Sequence, residues 1–167
     1  MNRFLTVALS AAALALSSSA SAQMVTKHPN TPPGLILQGV TVKPGATTVY
    51  LSGQLASPVA GSAAKPATEL TMADFGDTKT QTVSILTKIK TILAARGMAM
   101  SDVIKLTVFV AGDPKLGGKM DFAGMNEGFK QFFGTADNPG TVARSTVQVA
   151  ALAGPNFLVE IEATAAK

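Results

Sequence analysis

The stretch TVARSTVQV, Thr141–Val149, holds β-branched, small and polar residues with no glycine or proline, so it is expected as a β-strand. Strand alternation then puts Val142, Arg144, Thr146 and Gln148 on one face. A second such run, FLVEIEAT (Phe157–Thr164), follows after the connection Ala153-Gly154-Pro155-Asn156. There Leu158, Glu160, Glu162 and Thr164 share a face, opposite Phe157, Val159 and Ile161. An arginine and a hydroxyl thus share one face of the first strand, and a carboxylate lies on one face of the second.

Working outward, Asp121–Phe133 has helical spacing. Phe122, Met125, Phe129, Phe132 and Phe133 form its expected buried face, Asp121 its cap and Gly134 its stop. Before it, GDPKLGGK (Gly112–Lys119) reads as a connector, because it lacks the glycine–lysine–Ser/Thr order of a phosphate loop. Asp102–Val110 is a strand with Ile104, Leu106, Val108 and Val110 pointing one way. Thr78–Arg96 is a helix whose stripe includes Val83, Ile85, Leu86, Ile89, Ile92 and Leu93, capped by Asp77 and stopped by Gly97. Leu55–Asp77, rich in Ala, Pro, Gly, Ser and Thr, is a long loop of a kind that is often functional. Leu35–Thr41 and Thr48–Ser52 are β-prone, and Lys43-Pro44-Gly45 between them favours a turn, which predicts an antiparallel hairpin. Residues 23–33 are expected as an exposed arm, and 34–167 as a single domain.

The order β-β-α-β-α-β-β predicts an α+β fold: a two-layer sandwich of a mixed sheet with two helices on one face. The other sheet face then needs cover, and association of copies through it is the expected solution.

With 167 residues, 47% of them hydrophobic and 14% charged, the chain has the composition of one folded domain. It has no cysteine and one histidine, His28, which excludes a disulfide scaffold and a thiolate metal site and argues against a histidine-based triad. Met1–Ala22 has the pattern of a cleaved signal peptide: Arg3, a 13-residue stretch Phe4–Leu16, then Ala20-Ser21-Ala22. A spanning helix needs about 20 apolar residues, so no membrane anchor is expected after cleavage. A periplasmic or secreted protein is expected. The net charge is +4, or +3 without Arg3, and no lysine–arginine cluster invites nucleic acid.

Only Arg96 and Arg144 remain as arginines beyond residue 22. Arg96 closes a helix. Arg144 either packs its stem with its head in water or faces an anion in a pocket. If the last two strands were antiparallel neighbours, Arg144, Thr146 and a carboxylate of the last strand, Glu160 or Glu162, would converge, either as a structural ion pair or as a site. An arginine holds a carboxylate bidentately, and a carboxylate orients water or moves a proton.

The stretch VARSTVQVAAL, Val142–Leu152, resembles the "PARS-x-V-x-V-x-x-L" signature of the RidA/YjgF family of reactive-intermediate deaminases. FLVEIEA (Phe157–Ala163) is similar to the family's "IEIEA" strand, and Ser52-Gly53-Gln54 to its "SGQ". Gln81–Gly97, Asp102–Val110 and Asp121–Phe133 resemble its first helix, its "DVVKTTVF" strand and its "DF-x-x-x-N" helix, in order. The resemblance implies a chorismate-mutase-like fold and a homotrimer with sites in clefts between subunits. It implies hydrolysis of 2-imino and 2-enamino acids to 2-keto acids and ammonia, with no metal and no organic cofactor. On this likeness Arg144 binds the substrate carboxylate and Glu160 positions water. Ser52, Gly53 and Asn126 line the pocket, Thr146 stands where many members have cysteine, and Ile36 stands where they have tyrosine. A non-catalytic carboxylate-binding or chaperone-like trimer is the alternative. Endoribonuclease activity, also known in the family, ranks last because of the modest charge.

Overall fold

A computed structural model describes residues 23–167; the expected signal peptide lies outside the described residues. Eight elements follow in order: β1 (Val25–Pro29), β2 (Leu37–Val42), β3 (Thr48–Leu55), α1 (Thr78–Ala94), β4 (Val103–Ala111), α2 (Phe122–Phe129), β5 (Ala143–Val149) and β6 (Val159–Ala166). The described residues form an α+β fold, with two α-helices and a mixed sheet.

The long helix α1 forms where its periodicity and caps agree. The Asp77 carboxylate accepts from the Thr80 amide, and Gly97 takes φ 67° just past the helix end, a conformation other residues avoid. Ile85, Leu86, Ile89 and Leu93 are fully buried, worth about 1.5–3 kcal/mol each against exposure. Val83 and Ile92 are only partly buried, and Gln81 and Thr82 take buried places instead. α2 lies across α1 at Gly128, where a Cβ would come within 2.8 Å of the Thr82 side chain and 3.0 Å of the Lys79 carbonyl. The helix is shorter than the periodicity suggests, ending at Phe129. Phe133 remains buried beyond it, while Phe122, expected in the core, is 44% exposed. Phe122 is the first helical residue, and its side chain projects over Arg144 rather than into the core.

The main sheet has the order β3-β6-β4-β5. β6 runs antiparallel to both neighbours, and β4 and β5 run parallel. Leu106, Val108 and Val110 of β4 and Val159, Ile161 and Ala163 of β6 face the helices and are buried. The opposite face shows Tyr50, Lys105, Thr107 and Glu162, with Tyr50 79% exposed.

Two expectations are corrected. The turn at Lys43-Pro44-Gly45 forms, with Gly45 at φ 93°, but it does not close a hairpin. β2 pairs back with β1, while β3 pairs with β6, so the turn carries the chain from one sheet to the other. The arm 23–33 is therefore not a free extension: Val25–Pro29 is a strand in register with Leu37–Val42. The segment Leu35–Leu37 also meets the approach to β5, where the Leu37 amide donates to the Val142 carbonyl at 3.0 Å and Thr141 Oγ1 donates to the Leu35 carbonyl at 2.6 Å.

The long loop 56–76 is organised by one acid. Asp74, buried, accepts from Ser62 Oγ at 2.5 Å, from Lys65 Nζ at 2.6 Å, and from the Thr71 amide and hydroxyl, each at 2.8 Å. The Lys65 ammonium, followed by the Ser62 and Thr71 donors, holds the carboxyl far below the usual carboxylate range.

Candidate functional site

Arg144 projects from β5 toward the helices, as its register partner Leu106 does on β4. Its guanidinium is half-buried between an aromatic face and an amide. Its central carbon stands 4.4 Å from the centre of the Phe129 ring and 6.0 Å from that of Phe122. Nη2 donates to Asn126 Oδ1 at 2.7 Å. Nη1 is buried and has no partner. Burial lowers the pKa of the group, but a guanidinium starts so high that it stays charged.

Thr146 lies two residues along the same face, and its Oγ1 is likewise buried with no hydrogen-bond partner. Orphaned polar atoms of this kind are rare, because each loses its hydration without recompense. A charged donor and a neighbouring hydroxyl left open together match an anion with more than one acceptor oxygen, such as a carboxylate.

The remaining expected residues divide into two groups. Asn126 joins Arg144, as the resemblance implies. Ile36 lies in the segment whose neighbours Leu35 and Leu37 are tied to Thr141 and Val142, at the approach to Arg144. Ser52, Gly53 and Glu160 form a second group. β3 bulges between Leu51 and Gln54, leaving Ser52 and Gly53 out of the ladder. The Glu160 carboxylate fills the space above Gly53, where a Cβ would fall 1.8 Å from Oε1.

The two groups do not meet within one chain. β4 lies between β5 and β6, so those strands are not neighbours. Glu160 pairs with Phe109 and points to the face away from the helices, whereas Arg144 pairs with Leu106 and points toward them. Convergence of Arg144, Thr146 and Glu160 on adjacent strands is thereby corrected. Nor do Arg144 and Glu160 form an ion pair within the chain, since they occupy opposite sheet faces.

Phe122 and Phe129, both expected in the core from periodicity, flank the arginine; Phe129 is buried as expected and Phe122 is not. The signal was available in the helix spacing: four residues before and three after Asn126, they share its face. Among the described residues no group of three or more His, Cys, Asp or Glu side chains gathers as a metal-binding cluster.

The family described as Endoribonuclease L-PSP matches residues 38–167. A RutC family protein of Pyrococcus horikoshii is 41% identical over 92 residues, covering 55% of this chain; the chain spans 64% of that relative's length. TdcF of Escherichia coli, whose name describes a reactive intermediate deaminase, is 37% identical over 127 residues, covering 74% of this chain and 91% of TdcF. The crystal structure of TdcF with bound serine superposes with a TM-score of 0.52 at 35% identity, over 84% of this chain and 94% of that one. A 2-iminobutanoate/2-iminopropanoate deaminase of Salmonella typhimurium is 35% identical over 125 residues, 74% of this chain and 91% of its own. With the family match running from β2 to the last residue and the fold shared with TdcF, the chain belongs to the Endoribonuclease L-PSP family, the YjgF/RidA family.

Proposed function

We propose that the protein hydrolyses 2-imino and 2-enamino acids to 2-keto acids and ammonia. The observation that carries this reading is the pair of buried, open donors, Arg144 Nη1 and Thr146 Oγ1. They hold the substrate carboxylate while Asn126 fixes the other arm of the guanidinium. The names of relatives in Escherichia coli and Salmonella typhimurium support the same chemistry.

In the reaction, water adds to the imine carbon and forms the new C–O bond. The C–N bond then breaks, and the nitrogen leaves as ammonia with the displaced protons. Holding the carboxylate fixes the imine carbon for attack. Glu160 orients the water and takes its proton. Because Glu160 lies on the far sheet face, the site is completed by a second copy of the chain. The geometry of one chain and the family resemblance together support a homotrimer with Arg144 and Glu160 meeting across subunits. The segment 1–22 directs export to the periplasm or outside the cell.

A second reading has one observation of its own. The Arg144 half-site is ready to bind a carboxylate in a single chain, without Glu160. The alternative is thus a binding protein for small carboxylates. One experiment separates the two: ammonia and keto-acid release from imino acids generated in place by an amino-acid oxidase. The deaminase reading predicts release above the spontaneous rate, lost in Arg144→Ala at unchanged oligomeric state. Saturable binding of a 2-keto acid with no acceleration would leave the binding protein.

A further inference from the structure

Gln148 follows Arg144 and Thr146 on the same face of β5, and its side chain makes two bonds to a single short segment. Nε2 donates to the Gly118 carbonyl at 2.8 Å, and Oε1 accepts from the Met120 amide at 3.0 Å. The next residue, Asp121, caps α2 through the Gly124 amide, and α2 carries Phe122, Asn126 and Phe129 to Arg144.

The segment from Gly118 to Asn126 is thus fastened to β5 at two points. Gln148 holds its start and Arg144 holds its end, with the open Thr146 hydroxyl between them on the strand. Gly117 and Gly118 take φ 64° and 78°, and residues 114–119 are exposed. The loop's neck is built around the carbonyl that Gln148 engages: a Cβ on Gly112 would lie 2.2 Å from the Gly118 oxygen. Asp113 closes the neck, its amide donating to the Lys119 carbonyl at 2.9 Å and its carbonyl accepting from the Gly118 amide at 3.0 Å.

We infer that Gln148 is a positioning residue for carboxylate binding: it sets where α2 begins, and through Asn126 it aims the open arm of Arg144. This rests on the reading of the Arg144 site as the substrate-carboxylate site. Gln148 makes no contact with the substrate in this account. Its effect is on the geometry of the anion cradle, so it belongs to binding rather than to the chemical step.

The test measures steady-state kinetics with in-place imino acids, and pyruvate binding by calorimetry, on the assembled protein. The variants are Gln148→Ala, Gln148→Met and Gln148→Glu. Loss of both bonds in Gln148→Ala and Gln148→Met should raise KM and the pyruvate Kd about tenfold, with kcat within about twofold. Gln148→Glu keeps the acceptor for Met120 but sets a second oxygen against the Gly118 carbonyl, so its KM and Kd should rise at least as far as in Gln148→Ala. Unchanged KM and Kd in all three would overturn the inference, as would equal losses in kcat that track a lowered melting temperature. The parent protein reports separately on the underlying reading: if it neither turns over imino acids nor binds pyruvate, that reading fails and the inference with it.

Discussion

Thr146 carries a cost that the fold alone does not require. Its hydroxyl is buried without a partner, and an unmet buried hydroxyl costs about 1–3 kcal/mol. Valine has the same shape and no such need. Thr146→Val should therefore stabilise the unliganded protein by about 1 kcal/mol, seen as a rise of a few degrees in melting temperature. The same change should weaken pyruvate binding, because it removes one donor from the anion cradle. A lower melting temperature for the unliganded variant would mean that the hydroxyl already has a partner and is not kept open for a ligand. Arg144 follows the same logic more strongly, since an open charged donor costs more than an open hydroxyl. A bound carboxylate relieves both.

At the scale of elements, two contacts decide whether the site is held in place. Gly128 lets α2 lie close to α1, and Gly128→Ala drives a methyl into Thr82 and the Lys79 carbonyl. Overpacking of this kind costs about 1–3 kcal/mol, so the variant should unfold at lower denaturant with an unchanged slope. Asp74 plays the corresponding part in the long loop. Its pKa is lowered in the folded state, so its stabilisation is complete above the ordinary carboxylate value, about 3.9, and fades as pH falls from there through the lower folded value. The protection of residues 57–75 against hydrogen exchange, taken relative to the intrinsic rate at each pH, should fall below about pH 4 in the parent. In Asp74→Asn that protection should be low already at neutral pH and nearly independent of pH. A loop equally protected in both proteins would show that Asp74 does not organise it. Legibility differed at this scale. The helix α1 was readable because period and caps sit within one stretch of chain: Asp77, the Leu86–Leu93 stripe and Gly97. Asp74 was not, since it is one acid among many polar residues and its partners come from two separate turns.

For the whole molecule, the element order from β2 to β6, the mixed sheet and the helix layer followed from local patterns. The pairing of strands did not. The Lys43-Pro44-Gly45 turn announces a reversal but not the partner, and β2 returns to a strand from a segment with no alternation, Val25–Pro29. The candidate site shows the same boundary. The face that Arg144 shares with Thr146 is fixed by alternation and was legible. That Glu160 occupies the opposite sheet face depends on β4 inserting between β5 and β6, which no local signal states. This placement makes the central claim testable: Arg144 of one copy and Glu160 of another form one site. Arg144→Ala and Glu160→Gln subunits, each inactive alone, are to be unfolded, mixed in equal amounts and reassembled, and imine hydrolysis measured. If the site is shared, about a quarter of the subunit interfaces pair an intact Arg144 with an intact Glu160, and about a quarter of the parent activity returns. No activity above that of the separate variants, in assemblies shown by mass to be mixed, would contradict the account.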